Sequence, residues 1–118
     1  MSFQLTLEEG QFLVRLARKA VEKYLENGKV ILPPEDASSK LMKRCGVFVT
    51  LNNVRGKEKE LRGCIGFPYP TLPLVQAVID SAINSATQDP RFPPLFSDEL
   101  SSIVFEVSVL TPPQLIKV

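Results

Sequence analysis

Ten prolines constrain this chain more than any other feature. They stand at Pro33-Pro34, Pro68/Pro70/Pro73, Pro90, Pro93-Pro94 and Pro112-Pro113. A proline has no amide hydrogen to give a ladder, fixes its own φ and drives the preceding residue out of the α region. The clusters therefore punctuate the elements. With 118 residues, 44% of them apolar, the chain has the material for one small domain with a real core.

Residues 6–27 read as a helix. Thr6 and Glu9 have the spacing of a capping box, and Asn27-Gly28 supplies a stop. Phe12, Leu13, Leu16, Ala17, Ala20, Val21, Tyr24 and Leu25 form its apolar stripe. Residues 29–44 are expected to be loop. A strand follows at 45–52, a charged hairpin connection at 53–60 with Arg55-Gly56 as its turn, and a returning strand at 61–67. Residues 72–88 read as a second helix with Pro73 in its first turn. Asp80 is the only charge inside it, and its wealth of Ala and Ser suits close packing across a sheet. A stiff loop, Asp89-Pro90-Arg91-Phe92-Pro93-Pro94, leads to a third strand at 102–110. The expected fold is α+β, a mainly antiparallel sheet packed with two helices. The last residues, 115–118, form an apolar tail that suits pairing with another strand or a fold continuing past this point.

Absences narrow the chemistry. There is no His, so Ser-His and Cys-His mechanisms and histidine zinc sites are excluded. Two cysteines, Cys45 and Cys64, are too few for a disulfide scaffold, and no metal site is expected. Neither a secretion signal nor a run of 18 apolar residues is present, so the expectation is a cytoplasmic protein with reduced thiols and no membrane span. A formal net charge of +1 and 8% aromatic residues speak against nucleic acid as a partner.

Strand side chains alternate between faces. Alternation puts Cys45, Val47, Val49 and Leu51 on the core face with Ile103, Phe105, Val107 and Val109. In the returning strand it sends Leu61, Ile65 and Phe67 one way and Arg62, Cys64 and Gly66 the other. The reverse face then collects Thr50, Arg62, Cys64, Glu106 and Ser108. A disulfide between Cys45 and Cys64 is disfavoured unless a glycine bulge reverses the parity.

Cys64 is the candidate nucleophile, with Gly63 and Gly66 leaving open backbone around it for a ligand. Arg62 would stand beside the thiol on the same face and favour its thiolate, and Glu106 would accept a proton. Arg91, held between two prolines, would bind an anionic group. Each has a plainer reading. Cys64 is then a small buried hydrophobe, the glycines serve packing, and Arg91 pins its loop to Asp89 or Asp98.

Leu61-Arg62-Gly63-Cys64-Ile65-Gly66, followed after a helix by Asp89-Pro90-Arg91-Phe92-Pro93-Pro94, resembles the AMMECR family. The resemblance runs from the first helix to the strand at 103–110. The family domain continues further, so it implies that this chain is a single AMMECR-like domain cut short at its C-terminal side. It implies an α+β fold of two subdomains and a functional site at the LRGCIG stretch, but no reaction and no cofactor, because the family is uncharacterised. Prokaryotic relatives lie beside or are fused to Memo-like and radical-SAM proteins, which makes those the implied partners. Two functions stay open. One is an enzyme using Cys64 with Arg62, Arg91 and Glu106. The other is a non-enzymatic adaptor taking a peptide or partner protein into the same groove.

Overall fold

In the computed structural model, which describes residues 5–110, α1 spans Leu7–Asn27. Its start is the expected capping box. The Glu9 amide donates to Thr6 Oγ1 at 3.1 Å, and the Thr6 amide donates to Glu9 Oε1 at 2.8 Å. Its end is Gly28 at φ +73°, whose N–H reaches the Tyr24 carbonyl at 2.8 Å. That left-handed turn is one that a side chain would strain. Leu13, Leu16, Ala17, Ala20 and Val21 form the buried stripe.

The segment expected to be loop holds one 3-10 turn, Ser39–Met42, which buries Leu41. Beyond it, backbone bonds from Cys45 N–H to the Leu72 carbonyl and from Leu74 N–H to the Lys43 carbonyl tie residues 43–45 to 72–74. Leu72 and Pro73 are thereby held in a bridge. The second helix, α2, consequently begins at Leu74 and ends at Thr87, inside the expected 72–88, with Pro73 as its N-cap.

Strands β1 (Gly46–Arg55) and β2 (Glu58–Phe67) make an antiparallel hairpin. The stretch 53–60 is not a loose connection, as the sequence suggested. Asn53, Val54 and Arg55 pair with Glu60, Lys59 and Glu58, and the turn closes with Gly56 at φ +62°. A two-residue turn lets the ladder run to its tip, and its charged residues lie on a solvated ribbon. A second 3-10 turn, Ser97–Ser102, precedes β3 (Ile103–Leu110). That strand pairs antiparallel with the other edge of β1, giving the order β2-β1-β3. The fold is therefore the expected α+β one. The tail at 115–118 and the first four residues lie outside the described residues.

α2 lies over β1 and β2, and α1 packs beside it and over β3. Val47, Val49 and Leu51 of β1 meet Leu74, Val75, Val78, Ile79 and Ala82 of α2 in one core with Ile103 and Phe105. Among the described residues neither α1 nor α2 packs on the opposite face of the sheet. Phe48, Thr50 and Cys64 are partly exposed there, Leu61 is 41% exposed and Val104 is 45% exposed.

The pleat of β2 differs from the alternation read in the sequence. Leu51 pairs with Gly63 but Asn52 pairs with Leu61, so Arg62 is the extra residue of a bulge. Two residues of one strand then oppose one interval of the other, and the parity changes across the bulge. Leu61 joins Cys64 and Gly66 on the open face, opposite Asn52, rather than Ile65 and Phe67 on the core face. Arg62 leaves the alternation and turns outward along the sheet edge.

Candidate functional site

Cys64 sits opposite Thr50, and Thr50 sits opposite Glu106, so the three expected to share a face form one row across the sheet. The Thr50 Oγ1 lies 3.2 Å from the Cys64 Sγ, close enough for a hydrogen bond with either atom donating. Glu106 is two strand spacings from Cys64, roughly 10 Å. Its carboxylate pairs with Lys59 Nζ at 2.5 Å, and both side chains are about half exposed. The hydroxyl, not the carboxylate, is the group within proton reach of the sulfur.

Of the two arginines, Arg62 departs from the place the sequence suggested, while Arg91 keeps its loop position and also reaches Cys64. Arg62, freed by the bulge, faces away from the thiol. Its Nε and Nη2 donate to both oxygens of Glu99 at 3.1 and 3.2 Å, and its Nη1 donates to the Pro93 carbonyl at 2.9 Å. Only 12% of its side chain is exposed, so it staples the proline loop and the second 3-10 turn to the edge of β2. Arg91 is the guanidinium at Cys64, where its Nη2 donates to the Cys64 carbonyl at 3.3 Å.

Asp89 completes this contact. Its Oδ2 accepts from the Cys64 amide at 3.0 Å, and its carboxylate also accepts from the Arg91 amide, Nε and Nη2 at 2.8 to 3.1 Å. The plainer reading of Arg91, a pin to Asp89, is thus present together with the approach to Cys64. The Asp89 side chain is 2% exposed. The Arg91 guanidinium holds its carboxyl well below the usual carboxylate range, against the opposing effect of burial. An edge strand leaves outward N–H and C=O groups without a neighbour. At Cys64 one loop satisfies both, with a carboxylate accepting from the N–H and a guanidinium donating to the C=O. The sulfur is left on the open face.

The glycines serve packing. A Cβ on Gly63 would stand 2.1 Å from the Ser85 carbonyl oxygen, and one on Gly66 would stand 2.0 Å from the Val47 carbonyl oxygen. The bare backbone expected around Cys64 is therefore covered by α2 on one side and by β1 on the other. Ser85 also enters the β1–β2 ladder. Its Oγ accepts from the Ile65 amide at 2.8 Å and donates to the Val49 carbonyl at 2.7 Å. Sequence reading missed Ser85 and Glu99 as partners of the hallmark strand. The one available signal was the charge-poor, Ser-rich α2, which did indicate close approach to a sheet.

Cys45 is 1% exposed beneath the sheet, and burial pushes its thiol up. Both cysteines are free. Among the described residues no three His, Cys, Asp or Glu side chains converge as metal ligands, and no helix is long and apolar enough to cross a membrane.

Comparison with known proteins agrees with this fold. Residues 14–118 match the family model described as AMMECR1. A protein of Thermococcus gammatolerans is 58% identical over 108 residues, covering 91% of this chain and 53% of its own length. A protein of Thermofilum pendens is 55% identical over 117 residues, covering 94% of this chain and 55% of its own length. The crystal structure of the uncharacterized protein PH0010 from Pyrococcus horikoshii superposes with a TM-score of 0.87 at 56% identity, covering 96% of this chain and 56% of that one. The chain spans about half the length of these relatives. With nearly the whole chain matched and more than half its residues identical to such relatives, it belongs to the AMMECR1 family.

Proposed function

We propose that the chain carries a ligand site on the open face of its sheet, centred on the Cys64 thiol. Thr50 is the hydrogen-bond partner of the sulfur, and Arg91 draws an anionic group to it. The observation that carries this reading is the meeting of the two hallmark stretches at one residue. Asp89 and Arg91 take both backbone groups of Cys64. They thereby fix where its sulfur stands, beside Thr50 and partly open to solvent. A thiol held in a fixed position on an accessible face can be presented to an electrophile. Arg91 is 55% exposed, and its Nη1 has no hydrogen-bond partner among the described residues, so the guanidinium keeps donor capacity for a carboxylate or phosphate. Within this site Arg62, Gly63 and Gly66 are positioning residues, and Glu106 lies at its far rim.

Paired alkylation tests the reading. Iodoacetate carries a negative charge and iodoacetamide does not, while both alkylate the same thiolate. Cys64 modification is followed by peptide mass spectrometry, with Cys45 as the internal reference. The iodoacetate-to-iodoacetamide rate ratio at Cys64 should be at least about threefold higher in the folded chain than in urea. Arg91→Gln should remove that excess. Equal ratios in both states, or a Cys64 that neither reagent reaches in the folded chain, would overturn the proposal.

A further inference from the structure

A cleft away from the Cys64 row lies where α1 ends against α2. Tyr24, Val30, Phe67, Asp80, Ile83 and Asn84 line about 280 Å³ of space. Asp80 is the single charge of α2, and it is partly buried. Its Oδ1 accepts from Gln76 Nε2 at 2.8 Å, and the carboxylate has no cationic partner among the described residues. The last turn of α1 contains no basic residue, so the negative end of that helix is not offset beside Tyr24. Of the nearest cations in the sequence, Lys23 is paired with Glu26 at 3.7 Å, and Lys29 is exposed.

These features call for one kind of ligand. A partly buried carboxylate without a counter-charge attracts a cation, and the attraction strengthens as the ligand covers the pair from water. Two aromatic side chains line the same cleft, and an aromatic ring face attracts a cation. Val30 and Ile83 offer apolar surface to whatever carries the charge. We propose that this cleft binds a small organic ammonium ion, with Asp80 holding the charge, Tyr24 and Phe67 flanking it, and Val30 and Ile83 against its apolar body. The volume lies at the small end of ligand sites, so the ligand is a compact amine. This site stands independently of the reading of Cys64.

The probe is phenethylammonium, with 2-phenylethanol as its uncharged counterpart, titrated into the whole chain and followed by amide shifts at Phe67, Asp80, Ile83 and Asn84. Phenethylammonium should give saturable shifts at these residues, and 2-phenylethanol should bind at least about tenfold more weakly. Asp80→Asn keeps the oxygen that accepts from Gln76 and should weaken the amine by a similar factor. Val30→Lys places a competing ammonium at an exposed rim position, 52% exposed in the native chain, and should weaken it without touching the core. Equal binding of amine and alcohol, amine binding undiminished in both variants, or shifts confined to other residues would overturn the proposal.

Discussion

One cysteine is buried in the core just before β1 and the other stands on the exposed face of β2, and the difference between them shows how a backbone assigns roles. Cys45 has its side chain in the apolar core and its thiol pushed up by burial. Its amide spends itself on a backbone bond to Leu72. Cys64 is held through both backbone groups by the side chains of one loop, and its sulfur meets a hydroxyl on the open face. The first is a hydrophobe that happens to contain sulfur. The second is a positioned thiol. Neither nearby charge in sequence nor residue type separates them. What separates them is burial in the core before β1 for Cys45, and for Cys64 its face of the pleat and the loop that covers its strand edge.

The largest effect should come from Gly63→Ala, because the added carbon would meet the Ser85 carbonyl 2.1 Å away. Backbone faces backbone there, so neither side can yield cheaply. We expect a loss of at least about 3 kcal/mol in urea unfolding. A loss under about 1 kcal/mol would show that α2 does not press on the Cys64 strand as described.

Next is Asp89→Ala, which removes the acceptor of the Cys64 amide and leaves Arg91 without its pair. Breaking such a pair costs about 3–5 kcal/mol when both groups are buried; with Arg91 half exposed we expect about 2–3 kcal/mol. The same group makes an acid prediction. The folded-state pKa of Asp89 is depressed, so its contribution is complete above the unfolded value of about 3.9 and is lost as pH falls below it. Unfolding curves of the native chain and Asp89→Asn should converge as pH drops below about 4. A constant difference down to acid pH would remove the Asp89–Arg91 pair from the account.

The comparison of the cysteines themselves is sharpened by serine. Cys45→Ser buries a hydroxyl in an apolar site and should cost about 2 kcal/mol. Cys64→Ser, on the open face, should stay within about 0.5 kcal/mol. Equal costs would erase the distinction. The smallest effect contrasts two serines of α2. Ser85 bonds the ladder, whereas Ser81 Oγ is buried with no partner. Ser81→Ala should therefore raise stability by about 1 kcal/mol, and a loss of that size would mean that its hydroxyl is bonded after all.

Much of the fold was legible because its signals are local. The capping pair Thr6 and Glu9, the stop at Gly28 and the 3.6-residue stripe of α1 depend on neighbours within one turn. The alternation Ile103, Phe105, Val107, Val109 depends only on the pleat. The row of Thr50, Cys64 and Glu106 was readable for the same reason. Arg62 was misread because a bulge is a property of two strands together. The extra residue appears only when β2 is laid against β1, and it moves Leu61 to the open face and turns Arg62 toward Glu99. For Gly63 and Gly66 the sequence left open backbone and close packing as alternatives, because what fills their space comes from other segments, Ser85 in one case and Val47 in the other.

By itself, then, the order of residues determined the two helices, the three strands, their antiparallel α+β character and the face on which Cys64 lies. Periodicity, capping and proline placement act over a few residues and need no partner. Only the tertiary structure decided which arginine meets Cys64, that the loop residue Asp89 is a buried acid, and that the glycines are packed. Those outcomes are set by hydrogen bonds and close approaches between segments some 20 to 37 residues apart, where geometry and not sequence distance selects the partner.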